Sequence, residues 1–218
     1  MRSKIFRYLK LIILTFSLNT LAEYQITVLA TNISNYGGFG EWSFSALYES
    51  DNESILFDTG FHEDTVLHNA KVLNKDLSKV EKVVLSHFHS DHTGGLIKLR
   101  KIYKAINKNA FSKVYVARGF FDQRYYKDGS KEGPGNYKDS LEFRRAAEKE
   151  GINFEILDSH IMISSNLYVT GTVKRTVETY NGPKGFFLDK ELTIPDVIKD
   201  DQSVGMLTDK GWIMMSGC

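Results

Sequence analysis

Three histidines and an aspartate fall within six positions, His87-Phe88-His89-Ser90-Asp91-His92. The run Val80 to Leu85 before them is short and rich in valine, the pattern of a buried strand. After them, Gly94-Gly95 permit a sharp backbone turn, and Leu96, Leu99, Ile102, Tyr103 and Ile106 then recur at helical spacing. The chain must therefore fold so that a strand hands a polar cluster to a glycine turn and a helix. An exposed loop that is histidine-rich by chance explains neither flank.

Chemistry follows from spacing. His87 and His89 are two residues apart on chain leaving a strand, which projects both imidazoles to one side. They make two-thirds of a three-nitrogen metal site. The turn before Gly94 swings Asp91 and His92 toward a second ion. Imidazole and carboxylate are ordinary zinc ligands, and iron or manganese accepts the same set. The expected ligands are thus His87, His89, Asp91 and His92, holding one or two zinc ions. Such a site permits metal-assisted hydrolysis, with Asp91 both a ligand and the acceptor that orients the attacking water.

Elsewhere the chain reads as one domain with strands at both ends and helices between. Strands are expected at 24–30, 42–48, 54–57, 80–85, 114–117, 153–157, 161–163, 167–170, 203–207 and 212–215. Asp51-Asn52 and Asp209-Lys210-Gly211 mark two hairpins. Helices are expected at 62–74, 96–106 and 139–150, the last with Asp139 or Ser140 as N-cap and Gly151 closing it. The stretch 119–137 mixes aromatic, charged and glycine residues and reads as an irregular loop or lid. Strand-rich ends around central helices suggest sheets packed face to face and covered by helices, an α/β (α+β) arrangement.

Residues 1–22 stand apart. Arg2, Lys4, Arg7 and Lys10 precede the apolar run Leu11–Leu18, and Thr20-Leu21-Ala22 follows. That order is a secretory signal, so residues 23–218 are the expected mature domain, periplasmic or secreted and without stable membrane association. An uncleaved anchor or a plain N-terminal helix is the alternative. Removing the four basic residues of this segment turns the formal charge of +1 into −3, which gives no electrostatic reason to expect nucleic acid. The expected partner is a small-molecule substrate.

Ser86-His87-Phe88-His89-Ser90-Asp91-His92-Thr93-Gly94-Gly95-Leu96 resembles the signature of the metallo-β-lactamase-fold hydrolases. Leu56-Phe57-Asp58-Thr59-Gly60 matches the hairpin end that precedes it in that superfamily. More narrowly, the chain is similar to the dihydropterin-aminobenzene phosphate synthase-like branch. Asn69-Ala70 with Asp76-Leu77, Thr170-Gly171-Thr172-Val173-Lys174-Arg175, and Asp200-Asp201-Gln202 carry that likeness. The resemblance implies an αββα sandwich and a metal-dependent hydrolase of ester, lactone or phosphoester bonds. In that branch the strand corresponding to Gly211–Ser216 leads into Gly-Cys-Ser-His, with a further histidine segment beyond. Here the sequence stops at Gly217-Cys218, so the resemblance implies a C-terminally incomplete fold lacking at least two histidine ligands, with Cys218 as a fifth candidate ligand. An inactive truncated member and a periplasmic metal-binding module are the alternatives to a working enzyme.

Asp58 is expected near the metal loop, orienting the backbone or a ligand histidine from behind; closing a turn before Gly60 is the plainer reading. Arg175 faces an anionic substrate or forms a surface ion pair, and His62 lines the mouth or sits on plain surface. His68 and His160 read as structural. Arg118, Arg124, Tyr125 and Tyr126 are a candidate substrate wall on the irregular stretch.

Overall fold

A computed structural model describes residues 24–50 and 53–217. The expected signal segment and Cys218 lie outside the described residues. In chain order the elements are β1 (Gln25–Ala30), β2 (Ser45–Glu49), β3 (Ser54–Phe57), α1 (Thr65–Val72), β4 (Val80–Val84), α2 (Ser90–Thr93), α3 (Leu96–Tyr103) and β5 (Lys113–Ala117). Then follow β6 (Tyr125–Tyr126), α4 (Ser140–Lys149), β7 (Asn153–Leu157), β8 (Ile161–Met162), β9 (Leu167–Val169), β10 (Phe186–Phe187), β11 (Ser203–Thr208) and β12 (Gly211–Ser216).

One sheet has the order β1-β2-β3-β4-β5-β7, antiparallel from β1 to β3 and parallel from β3 to β7. A second, antiparallel sheet has the order β12-β11-β9-β8. Side chains alternate across a strand, so each apolar strand of the first sheet feeds two cores. Leu47, Leu56, Val83, Val114 and Val116 pack with Val66, Ala70, Leu96, Leu99, Phe143 and Ala147 of the helices. Their neighbours Ala46, Tyr48, Ile55, Phe57, Val84 and Tyr115 pack against Leu167, Val169, Val204, Met206 and Met215 of the second sheet. Burial on both faces is why these strands read as continuous apolar runs.

The described residues therefore stack as helices, sheet and sheet. The outer face of the second sheet carries Met162, Trp212 and Met214, each more than half exposed. Both expected hairpins form, through Glu49↔Ser54 and Thr208↔Gly211. Several boundaries shift from expectation by one to three residues. The second strand starts at Ser45, because Trp42 belongs to an exposed loop, and the first helix starts at Thr65. Asp139 rather than Ser140 caps α4, accepting from the Glu142 amide at 2.8 Å.

Candidate metal centre

Parallel pairing of β3 with β4 sets Phe57 opposite Val84, so the chain leaves both strands at the same end of the sheet. Asp58 follows β3 and Ser86 follows β4. Asp58 is fully buried, with a positive φ of 56°, a region that aspartate tolerates better than most residues. Four bonds fix it there. Its amide donates to the Val84 carbonyl (2.9 Å), and its carbonyl accepts from Ser45 Oγ (2.8 Å). Its Oδ1 accepts from the Ser86 amide (2.7 Å) and its Oδ2 from Ser86 Oγ (2.8 Å).

The same Oδ2 lies 2.7 Å from His92 Nδ1, and a carboxylate only accepts, so Nδ1 carries a proton. The other ring nitrogen, Nε2, stands 3.5 Å from Asp91 Oδ2. Ser86 Oγ has one proton, which it gives to Asp58. It therefore accepts from His87 Nδ1 at 3.0 Å, leaving His87 Nε2 bare as well. On His89, Nε2 points at Asp196 Oδ2 (3.3 Å), which leaves Nδ1 as the lone-pair side. His87 Nε2 and His89 Nδ1 then face each other across 3.1 Å.

Electrostatics keep these nitrogens available. Burial, with help from His92 and His89, holds His87 well below the ordinary histidine range, so it is neutral at pH 7. For Asp91, burial works upward but is outweighed by the hydrogen bond and charge of His92 and by the charge of His89, so its carboxyl stays ionised.

His89 has a shell of its own. Phe186 packs against its ring at 4.7 Å, and Tyr126 lies 5.2 Å from Phe186. Glu132 Oε1 accepts from the Ser90 amide (3.1 Å), while Glu132 Oε2 stands 3.9 Å from His89 Nε2 and has no hydrogen-bond partner among the described residues. Burial pushes Glu132 upward, and pushes the Tyr126 phenol up to about 12. Asp196 behaves oppositely: burial works to raise it, but the His89 hydrogen bond and the Arg124 charge bring it down to about 2.

The stretch 119–137 is irregular apart from β6, as expected, but Arg124 and Glu132 within it are each only 1% exposed. Arg124 is accordingly no part of a substrate wall; it is paired with Asp196 and Asp200. Arg118 points to solvent and pairs with Asp158. Tyr125 and Tyr126 pair with Phe187 and Phe186 in the small β6–β10 ribbon, which places Tyr126 beside the His89 side of the cluster.

His62 is exposed, and its amide donates to Glu41. His68 is structural: its ring stacks on Phe39 at 3.8 Å and its Nε2 bonds the Gly37 carbonyl. His160 is exposed. Arg175 stacks on Tyr180 and reaches Asp201 at 3.4 Å, beside a cleft of about 510 Å³. Asp196, Glu132 and Phe186 gave no local signal in sequence, because they reach His89 from loops far along the chain. Gln202 was visible only through resemblance; its amide donates to the Ser86 carbonyl, and its Nε2 bonds the carbonyls of Leu85 and Tyr115.

The donor set suits a divalent ion. Bonds of about 2.0–2.1 Å directed to tetrahedral corners put neighbouring ligand atoms about 3.3 Å apart. The pairs His87–His89 and Asp91–His92 bracket that value at 3.1 and 3.5 Å. Two bare nitrogens pointed at each other repel unless a cation lies between their lone pairs.

Comparison with known proteins agrees with this geometry. The profile of the metallo-beta-lactamase superfamily matches residues 43–169. The chain is 26% identical over 205 residues to a 7,8-dihydropterin-6-methyl-4-(beta-D-ribofuranosyl)-aminobenzene-5'-phosphate synthase of Methanocaldococcus jannaschii, covering 89% of this chain and 67% of that one. A second protein of the same archaeon, MJ0448, is 28% identical over 196 residues, covering 89% and 69%. The solved structure of Tm1679, a metal-dependent hydrolase of the beta-lactamase superfamily, superposes with a TM-score of 0.66 at 25% identity, covering 90% of this chain and 66% of that chain. The chain thus spans about two-thirds of the length of these relatives. With the profile covering more than half of the sequence and the histidine loop seated between β4 and α3, the chain belongs to the metallo-beta-lactamase superfamily.

Proposed function

We propose that this protein is an exported, metal-dependent hydrolase of small molecules carrying an ester, lactone or phosphoester bond. One observation carries the reading: His87 Nε2 faces His89 Nδ1 at 3.1 Å, beside the Asp91–His92 pair. Zinc is the proposed metal, since neutral imidazole and carboxylate are its ordinary ligands. When bound, such an ion supplies a nucleophile at neutral pH by bringing the pKa of water toward about 7.

The chain's own residues do the rest. Asp58 holds His92 by its Nδ1 and fixes the Ser86 end of the loop. Asp91, ionised and partly accessible, accepts a hydrogen bond from the attacking water and orients it. The names of the relatives, a pterin-linked phosphate synthase and a metal-dependent hydrolase, support small polar substrates for this superfamily scaffold.

A second reading draws on the donor count. Among the described residues, no group of three or more His, Cys, Asp or Glu side chains converges on one point. Two donors for each ion would suit a metal-binding module without turnover. The test loads purified protein with zinc and assays generic esters, lactones and phosphodiesters. Tightly held zinc with turnover abolished in Asp91→Ala supports the hydrolase. Tightly held zinc with no turnover across the panel replaces it with the binding module. Export is tested separately, by whether protein recovered from outside the cytoplasm begins near Glu23.

A further inference from the structure

Arg124 is, among the described residues, the largest fully buried side chain with a permanent charge, and it bonds Asp196, which faces His89 Nε2 while His87 faces His89 Nδ1. Its Nε donates to Asp196 Oδ2 at 2.7 Å, and its Nη2 donates to Asp200 Oδ1. Nη1 donates to the carbonyls of Phe120 (3.3 Å) and Asp122 (3.2 Å). The two aspartates do not end the chain of contacts. Asp196 Oδ2 faces His89 Nε2 at 3.3 Å, and Asp200 Oδ2 accepts from the Phe88 amide at 2.8 Å. One guanidinium thus governs both the ring of His89 and the backbone just before it.

We infer that Arg124 is a positioning residue for the candidate metal centre: through Asp196 it locks the His89 ring with Nε2 protonated and Nδ1 bare toward His87. The inference rests on the proposed metal reading for its purpose, though not for its geometry. A carboxylate held by Arg124 Nε presents a fixed acceptor to Nε2–H, which selects one neutral tautomer over the other. Without the guanidinium, the partners left to the Asp196 carboxylate among the described residues are His89 itself and the Ile198 amide, the latter on its other oxygen. The carboxylate is then freer to turn from the ring. Lysine keeps the charge but lacks the planar fork that spans Asp196 and Asp200 together. Glu132 Oε2, at 3.9 Å from the same nitrogen, is too far to serve as the acceptor.

The test uses the full chain and reads two quantities. In metal-free protein, nitrogen NMR of the imidazoles reports the His89 tautomer. In parallel, zinc affinity is measured by competition with a chromogenic chelator. Wild type is expected to show Nε2–H. Arg124→Met and Asp196→Asn are expected to give a tautomer mixture and about 10–100-fold weaker zinc binding, with Arg124→Lys between them. Should Arg124→Met fail to fold, Asp196→Asn decides. Folded variants that keep both the wild-type tautomer and the wild-type affinity overturn the inference. So does Nδ1–H in the wild type, whatever the zinc result. Nε2–H in a wild type that binds no zinc sinks the metal reading and leaves the positioning role standing.

Discussion

Asp58 Oδ2 sits 2.7 Å from His92 Nδ1, with both side chains buried. A residue at the end of β3 thereby sets which nitrogen the metal loop presents after β4. Asp58→Asn keeps the volume but exchanges a charged acceptor for an amide that cannot satisfy both Ser86 Oγ and His92. The expected outcome is a loss of about 1–3 kcal/mol of stability. Zinc held by the Asp91–His92 half should weaken by about 10–100-fold. Denaturant unfolding and zinc titration of the same sample check both.

Zinc should also stabilise the fold. A ligand that binds only the native state at about 100 times its Kd adds about 2.7 kcal/mol, which chelation removes. Thermal melting with zinc and then with a chelator should show a reversible shift. His87→Ala/His89→Ala should abolish most of it. An equal shift in the double variant would place the metal elsewhere.

The glycine turn after the cluster is a packing requirement. A Cβ at Gly94 would lie 1.8 Å from the Phe61 carbonyl oxygen, and one at Gly95 would lie 2.4 Å from that of Thr59. Both obstacles are backbone of the turn that follows Asp58, which cannot yield without moving Asp58. Gly94→Ala is expected to cost more than about 3 kcal/mol. Gly129, unlike Gly94, has a positive φ, but a Cβ there would meet nothing within 4 Å among the described residues, so Gly129→Ala should cost only about 1 kcal/mol. Urea unfolding of the two variants decides.

Asp201 gives the protein a pH dependence. Burial pushes its carboxyl up to about 6 against the pull of Arg175, and its Oδ1 has no hydrogen-bond partner among the described residues. The native state therefore binds this proton more tightly than the unfolded chain does. That contribution is complete below the unfolded value of about 3.9 and is lost as pH rises through about 6. Asp201→Asn should raise stability relative to wild type by about 1–2 kcal/mol at pH 8, solvent screening of this half-buried group included, and by little near pH 4. A difference that stays constant between those pH values would refute this account.

Much of the fold was legible because its signals are local. The strands Val80–Val84 and Ser54–Phe57 and the Asp209-Lys210-Gly211 turn each carry their periodicity or turn chemistry within a few residues. The histidine cluster is likewise local, since two-residue spacing on extended chain aligns His87 and His89 wherever that chain goes. The stretch 119–137 was not legible. Its composition suits an exposed loop, yet Arg124 and Glu132 are buried because Asp196, Asp200 and the Ser90 amide wait for them across the fold.

The sequence by itself determined that His87, His89, Asp91 and His92 form one cluster between a strand and a helix. It also marked Val80–Leu85 as a buried strand leading into that cluster. Only the tertiary structure decided which ring nitrogen each histidine offers. That choice depends on hydrogen bonds to Asp58, Ser86 and Asp196, which the parallel pairing of β3 with β4 and the return of the 196–202 loop bring within 3.3 Å. Residue type and spacing name the donors, but a proton's place on an imidazole is set by the acceptor that folding puts beside it.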